Sequence, residues 1–351
     1  MGSRVDLKGK TLGELEELFS AWGKERFRAR QIYRWIYGKL ETGFPEMTDL
    51  SKPFRRELEE HFLVSRFDHD VVRVSRDGTV KFLFMLPDGD GVETVLIPEG
   101  RRNTICLSTQ VGCRMGCRFC AAAEGGFSRN LTAGEIVNQF CAAEQYLRAR
   151  GERSTNVVFM GMGEPLDNLD EVLRTIEILN SEFAFSISQK RITVSTCGLI
   201  PELKRLVSAC DVSLAVSLNA TTDALRSKLM AVNKRYPLQD LVQFLEQVKP
   251  KKNRKVTVEY LLIAGLNDSP RDAARLAALL KSCRVKVNLL PFNQTGSNSY
   301  ATPGFASVDR FREILVNEGI QTIIRERRGA DIEAACGQLR GKMRGKGKTL
   351  E

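Results

Sequence analysis

The stretch QVGCRMGCRFCAAAEGGF, residues 110–127, packs Cys113, Cys117 and Cys120 into eight residues. Closed zinc and iron–sulfur sites usually take four thiolates, so a C-x3-C-x2-C run leaves one coordination place that the local sequence does not fill. A zinc ribbon would need a second C-x2-C, and there is none. The two histidines, His61 and His69, lie far from the triplet, which argues against a Cys/His zinc site. The position of the run decides the fold. It follows NTICLS, a short apolar run that reads as a strand, and precedes TAGEIVNQFCAAEQYLRAR, which predicts a helix over 132–150.

Downstream, the same alternation repeats. Strand TNVVFM, helix 168–180, strand RITVST, helix 201–209 and strand VSLAVSL come next. Helical material over 222–249, strand KVTVEYLL, helix 270–282, strand VKVNLLPF, a helix near 307–318 and strand QTIIR complete it. Six β/α units of this kind predict a parallel sheet with helices outside, an open partial (β/α)6 barrel; a doubly wound sheet is the alternative. Upstream, VKFLFML and VETVLIP, split by PDGDG, predict a β-hairpin. Residues 1–75 read as a small helical domain, in which TLGELEELFSAW has an apolar face and Thr11 can cap it with Glu14. The expected organisation is a helical domain to 75, a hairpin extension over 76–102, the barrel over 103–325 and a C-terminal loop and basic tail over 326–351.

A length of 351 residues suits two domains, or one large α/β domain with an addition. Hydrophobic content of 42% can build a real core. No apolar run approaches a membrane span, and MGSRVDLKGK lacks the apolar region of a secretory signal, so a cytoplasmic protein is expected. Nine cysteines, three of them clustered, fit metal or redox chemistry in a reducing compartment better than a disulfide framework. A net charge of +10 favours a polyanionic partner, most simply nucleic acid.

Function in α/β barrels sits at the C-terminal ends of the strands. Those ends read, in order, CRMGCRFC, GMGEPLDN, STCG, SLNA and, after the sixth strand, PFNQTGS. Each alone is weak; five at one edge suggest a shared ligand. Cys141, Cys210 and Cys283 lie singly within predicted elements and read as core or neutral residues, and Cys197 falls just past a strand end. Three thiolates can hold three irons of a four-iron cluster and leave the fourth open to a ligand. At this point the sequence resembles the radical S-adenosylmethionine (SAM) enzymes, in which Phe119 before the last cysteine is also typical. The resemblance implies a [4Fe–4S] cluster on Cys113, Cys117 and Cys120 that binds SAM and splits it to a 5′-deoxyadenosyl radical. It further implies SAM contacts from Gly163 and Glu164 of GMGEP, from Ser195, from Ser217, Leu218 and Asn219 of SLNA, and from Asn293.

VETVLIP, TICLSTQVGCRMGCRFCAAAEGGFSRNLTAGEI, GMGEPLDN and RGADIEAACGQL together closely resemble the RlmN family of RNA adenine-C2 methyltransferases, from the N-terminal helices to about residue 342. The family's substrates are a 23S rRNA adenosine at the peptidyl-transferase centre and, in many members, a tRNA adenosine 3′ of the anticodon. C2 of adenine is electrophilic, so direct methyl transfer from SAM cannot reach it. The resemblance implies instead that Cys336 is methylated first and that its radical adds to C2. Glu93 is then the proton acceptor, and Cys106 resolves the adduct by forming a disulfide with Cys336. Two SAM molecules per turnover and an external reductant such as flavodoxin follow, in a monomer. Where the family usually shows Ser-Leu-His-Ala, this chain has Asn219, which keeps a donor and an acceptor but loses the titratable ring.

Three basic stretches fit an RNA partner: WGKERFRARQIYRWIYGK (22–39), KPKKNRK (249–255) and IRERRGADIEAACGQLRGKMRGKGK (324–348), the last around Cys336. The nearest rival is a Cfr-type C8 methyltransferase with the same two cysteines; a rival of another class is a non-catalytic iron–sulfur RNA-binding protein.

Overall fold

Thr11 opens the first helix as its spacing to Glu14 requires. Its hydroxyl accepts from the Glu14 N–H, and the Glu14 carboxylate accepts from the Thr11 N–H. The computed structural model describes residues 4–68, 71–248, 254–294 and 299–341. In it, β1 (Val5–Asp6) precedes α1 (Leu12–Ala21). Helix α2 (Arg26–Tyr33) runs into a π turn at 34–38, and α3 (Lys52–His61) leads to β2 (Phe62–Leu63), parallel to β1. Leu15, Phe19, Ile32, Ile36 and Leu58 close a small core, while Arg26, Arg30 and Arg34 stay exposed on the other side.

The next three strands are antiparallel: β3 (Val71–Val74), β4 (Val80–Met85) and β5 (Gly91–Glu99). The sequence announces β4 and β5 but not β3. All four β3 side chains are exposed, so the strand carries no alternation of apolar and polar residues. Strand β5 pairs antiparallel with β6 (Arg102–Cys106), the first strand of the parallel part. The cysteine run lies between β7 (Gln110–Gly112) and β8 (Phe127–Asn130), a short antiparallel ribbon, with α4 (Ala121–Glu124) following Cys120.

After α5 (Ala133–Arg148), strands and helices alternate: β9 (Asn156–Phe159), α6 (Leu169–Asn180), β10 (Ile192–Thr196), α7 (Ile200–Ala209) and β11 (Ser213–Ser217). Then come α8 (Asp223–Leu229), α9 (Leu238–Gln247), β12 (Val256–Leu262), α10 (Pro270–Leu280), β13 (Val285–Pro291), α11 (Phe305–Asn317) and β14 (Thr322–Ile324). Strands β6, β9, β10, β11, β12 and β13 are neighbours in that order, all parallel, and make the six-unit partial barrel. Strand β14 extends it in parallel on β13, and the antiparallel strands extend it on the other side. Val157, Val194, Val216, Val258 and Leu289 are buried between sheet and helices, as strands covered on both faces require. Among the described residues, no helix is long and apolar enough to cross a membrane.

Candidate active site

The strand ends do converge. A cavity of about 190 Å³ is lined by Cys113, Cys117 and Cys120 from the loop after β6 and by Gly163 and Glu164 after β9. Ser195 on β10 with Cys197 just past it, Ser217 on β11 with Asn219 just past it, and Cys336 from the C-terminal loop also line it. Burial pushes the three clustered thiols upward, Cys113 to about 12; the charge of the neighbouring cluster thiols adds to the rise at Cys113 and Cys117, and that of Cys336 at Cys120. Buried thiolates that repel one another are favourable only beside a strong positive charge. Among the described residues, no three Cys, His, Asp or Glu side chains converge on a single-ion site. Three thiols spread around a shared void suit a multi-iron cluster, in which each holds its own iron, better than one metal ion.

Gly163 has φ +97, and a Cβ there would lie 2.6 Å from Gln110 Cβ and 2.8 Å from the Gln110 nitrogen. That crowding lets the Glu164 N–H reach Gln110 Oε1 at 2.9 Å. The Glu164 carboxylate accepts from the N–H of Leu166 (3.1 Å) and of Cys197 (2.8 Å), tying the loops after β9 and β10 together, while burial holds its pKa up. Asn219 sits at φ +60, a left-handed conformation that Asn tolerates unusually well. Its Oδ1 accepts from the Leu261 N–H at 2.9 Å and its Nδ2 approaches the Met230 sulfur at 3.4 Å. Leu218 is fully buried and does not line the cavity. Asn293 does not line it either: it borders a separate cavity of about 50 Å³ with Arg325 and Arg327 and donates to the Cys336 carbonyl at 3.3 Å.

Arg226, fully buried, organises these loops from behind. It donates to the carbonyls of Cys197 (2.7 Å), Leu218 (3.2 Å) and Ser217 (3.4 Å), and to Asn233 Oδ1 (2.8 Å).

Cys106 ends β6, buried; Cys336 is exposed, but part of the surface it exposes is cavity wall. Both are free thiols. Burial, then the charge of Cys336, pushes Cys106 to about 12, and the protein atoms packed around the Cys336 thiol raise it as well, although the residue as a whole is exposed. Arg325 pulls both thiols back down. Glu93 lies on β5, buried, 3.2 Å from Lys81 Nζ, with the backbone N–H of Arg340 at 2.8 Å. Glu259, on β12, lines the cavity, and Asn288 donates to it at 3.0 Å.

Sequence reasoning missed Lys81, Arg226 and Glu259. For Lys81 and Glu259 there was a signal, since each is the lone charge in the interior of an otherwise apolar strand, VKFLFML and VTVEYLL. Of the basic stretches, 249–253 and 342–351 lie outside the described residues.

A family model of the radical SAM superfamily matches residues 107–277, and one of the ribosomal RNA large subunit methyltransferase N-terminal domain matches residues 5–64. The chain is 48% identical to a dual-specificity RNA methyltransferase RlmN of Geobacter sulfurreducens, covering 100% of this chain and 98% of that one. It is 47% identical to the protein of that name from Geotalea uraniireducens, covering 97% and 98%. A crystal structure of a radical SAM methyltransferase from Sphaerobacter thermophilus superposes with TM-score 0.91 at 43% identity, covering 96% of this chain and 99% of that one.

Proposed function

The chain belongs to the RlmN family of radical SAM RNA methyltransferases, and from that premise we propose that it methylates C2 of an adenosine in 23S rRNA and of the tRNA adenosine 3′ of the anticodon, through an S-methylated Cys336. The observation that carries this reading is the meeting of sequence ends: Cys336, from the far end of the chain, faces the same cavity as Cys113, Cys117 and Cys120.

When bound, a [4Fe–4S] cluster and SAM supply a methyl group and a 5′-deoxyadenosyl radical for hydrogen abstraction. Cys113, Cys117 and Cys120 would hold three irons. The Gly163–Glu164 backbone, Ser195, Ser217 and Asn219 would hold SAM, with Leu218 setting the path of the SLNA loop. Asn219 acts there by hydrogen bonding and not by proton transfer. The Cys336 sulfur carries the methyl, and that carbon bonds to C2. Glu93 takes the C2 proton, for which its carboxylate must give up one of its bonds to Lys81, Arg340 or Gly341. The Cys106 thiol gives up its proton and its sulfur attacks the Cys336 sulfur; the S–S bond forms as the carbon–sulfur bond breaks, the departing carbon keeps that electron pair and takes a proton to become the methyl group, and the methylated base leaves. Asn293, a SAM contact by the family resemblance, donates here to the Cys336 carbonyl and so ties the C-terminal loop to the segment after β13. A thiol reductant must reopen the disulfide, and a one-electron donor such as flavodoxin must reduce the cluster. Two SAM molecules are consumed per methylation. The enzyme works in the cytoplasm as a monomer.

The test is the product. Anaerobically reconstituted protein, given SAM, reductant and unmodified 23S rRNA or tRNA, should yield 2-methyladenosine on nuclease digestion and mass spectrometry. Recovery of 8-methyladenosine would assign the chain to C8 chemistry instead.

A further inference from the structure

We propose that the buried Lys81–Glu93 ion pair is a two-point clamp that fixes the Cys336 loop over the cavity, which makes Lys81 a positioning residue of the reaction. The proposal rests on the reading of Cys336 as the methyl carrier.

Lys81 on β4 and Glu93 on β5 are diagonal neighbours across the antiparallel pair, since Leu83 faces Glu93 and Lys81 faces Val95. Their side chains are only 8% and 11% exposed, with Lys81 Nζ 3.2 Å from Glu93 Oε1. A pair buried this deeply must offset a large desolvation cost with further hydrogen bonds. Here those bonds go to the loop. Lys81 Nζ donates to the carbonyl of Glu333 at 3.1 Å, three residues before Cys336. The other oxygen of Glu93 accepts from the N–H of Arg340 at 2.8 Å and of Gly341 at 3.3 Å, just after it. One ion pair therefore grips the loop on both sides of its reactive sulfur.

The chain is shaped for that seat. Gly341 has φ +63, and a Cβ there would lie 2.4 Å from the Gly91 carbonyl on β5, so only glycine lets the backbone lie down on the strand. The loop's upstream stem is held separately, by Asp77 on the Gly329 N–H and by Ser75 and Arg76 on Asp331. On the cavity side, the Ala121 N–H donates to the Gly337 carbonyl at 2.8 Å, next to Cys120. The clamp is what bears on residues 333 and 340–341.

The test uses full-length, cluster-reconstituted protein carrying Lys81→Met or Lys81→Arg. Hydrogen-exchange mass spectrometry should show protection of the peptide over 333–341 falling about tenfold in Lys81→Met, the loss of one charge-assisted hydrogen bond, with exchange in α10 unchanged. The ratio of 5′-deoxyadenosine released to adenosine methylated should rise severalfold, since the radical would form while its target carbon is misplaced. Lys81→Arg should restore most of both. Wild-type exchange over 333–341 in Lys81→Met would overturn the clamp, and so would a loss of protection spread evenly over the whole chain. The exchange result does not depend on which carbon of adenine is methylated, so it stands or falls apart from the functional reading.

Discussion

Cys106 and Cys336 carry the same functional group in opposite settings. Cys106 is fixed at a strand end, with burial and its neighbour holding its pKa near 12, so near neutral pH it is a thiol and not a nucleophile until its proton is removed. Cys336 sits on a loop that reaches into the cavity. Replacing Cys106 by Ala should therefore stop the reaction after the carbon bond has formed. A denaturing gel should show a protein–RNA adduct that ribonuclease removes; recovering only free RNA would refute the role of Cys106. Replacing Cys336 by Ala should abolish methylation with iron content intact, and a collapse of iron content would make Cys336 a ligand. Gly163→Ala tests the backbone. A side chain at φ +97 against the Gln110 backbone should cost about 1–3 kcal/mol, read as a lower melting temperature together with weaker SAM binding by calorimetry. A wild-type melting temperature would show that the crowding relaxes freely.

Between residue and whole, the elements show why part of the site was legible. The cysteine run, GMGEP, SLNA and the caps are local patterns, complete within a few residues of sequence. Lys81, Arg226 and Glu259 act across long separations: Arg226 bonds Cys197 and Lys81 bonds Glu333. No spacing rule reaches that far, and only a lone charge in an apolar strand hints at a buried partner. The same holds for β3, exposed on all four residues, which reads as loop because burial, not propensity, makes the alternation. Arg226→Met should strip the buried carbonyls of their donor at about 1–3 kcal/mol each, lowering the urea midpoint; an unchanged midpoint would mean water replaces the guanidinium. The β3–β4 turn adds a pH dependence. Burial pushes Asp77 up, but hydrogen bonds from Gly329, Thr79 and Ser75 outweigh it and hold it at about 2 against an ordinary 3.8. A depressed carboxylate stabilises fully above its unfolded pKa and loses that contribution as pH falls through the folded value. Pepsin cleavage within 326–341 should therefore increase between pH 4 and 2, and Asp77→Asn should remove that increment. Equal slopes in both proteins would dismiss the anchor.

At the scale of the molecule, the N-terminal domain, close to neutral overall but with an arginine-bearing face, is joined to the barrel at close range. A Cβ on Gly9, at φ +84, would lie 2.2 Å from the Gly134 nitrogen at the start of α5. The Gly9 N–H bonds Tyr37 Oη at 2.9 Å, and Arg148 at the end of α5 donates to the Gly38 carbonyl at 2.8 Å. Val137 and Cys141 of α5 and Ile178 of α6 complete the N-terminal core. Exposed Arg26, Phe27, Arg30 and Arg34 are thus carried at a fixed distance from the cavity. A net charge of +10 predicts RNA affinity that falls steeply with salt, at a slope of about −0.7 to −0.9 per phosphate contacted. If the two parts grip one RNA together, prying them apart should cost affinity without touching the chemistry. Gly9→Val should weaken RNA binding and flatten its salt slope by the contacts the N-terminal face makes, while iron content and RNA-independent SAM cleavage stay at wild-type values. An unchanged salt slope in Gly9→Val would place every phosphate contact on the barrel and the C-terminal segment instead.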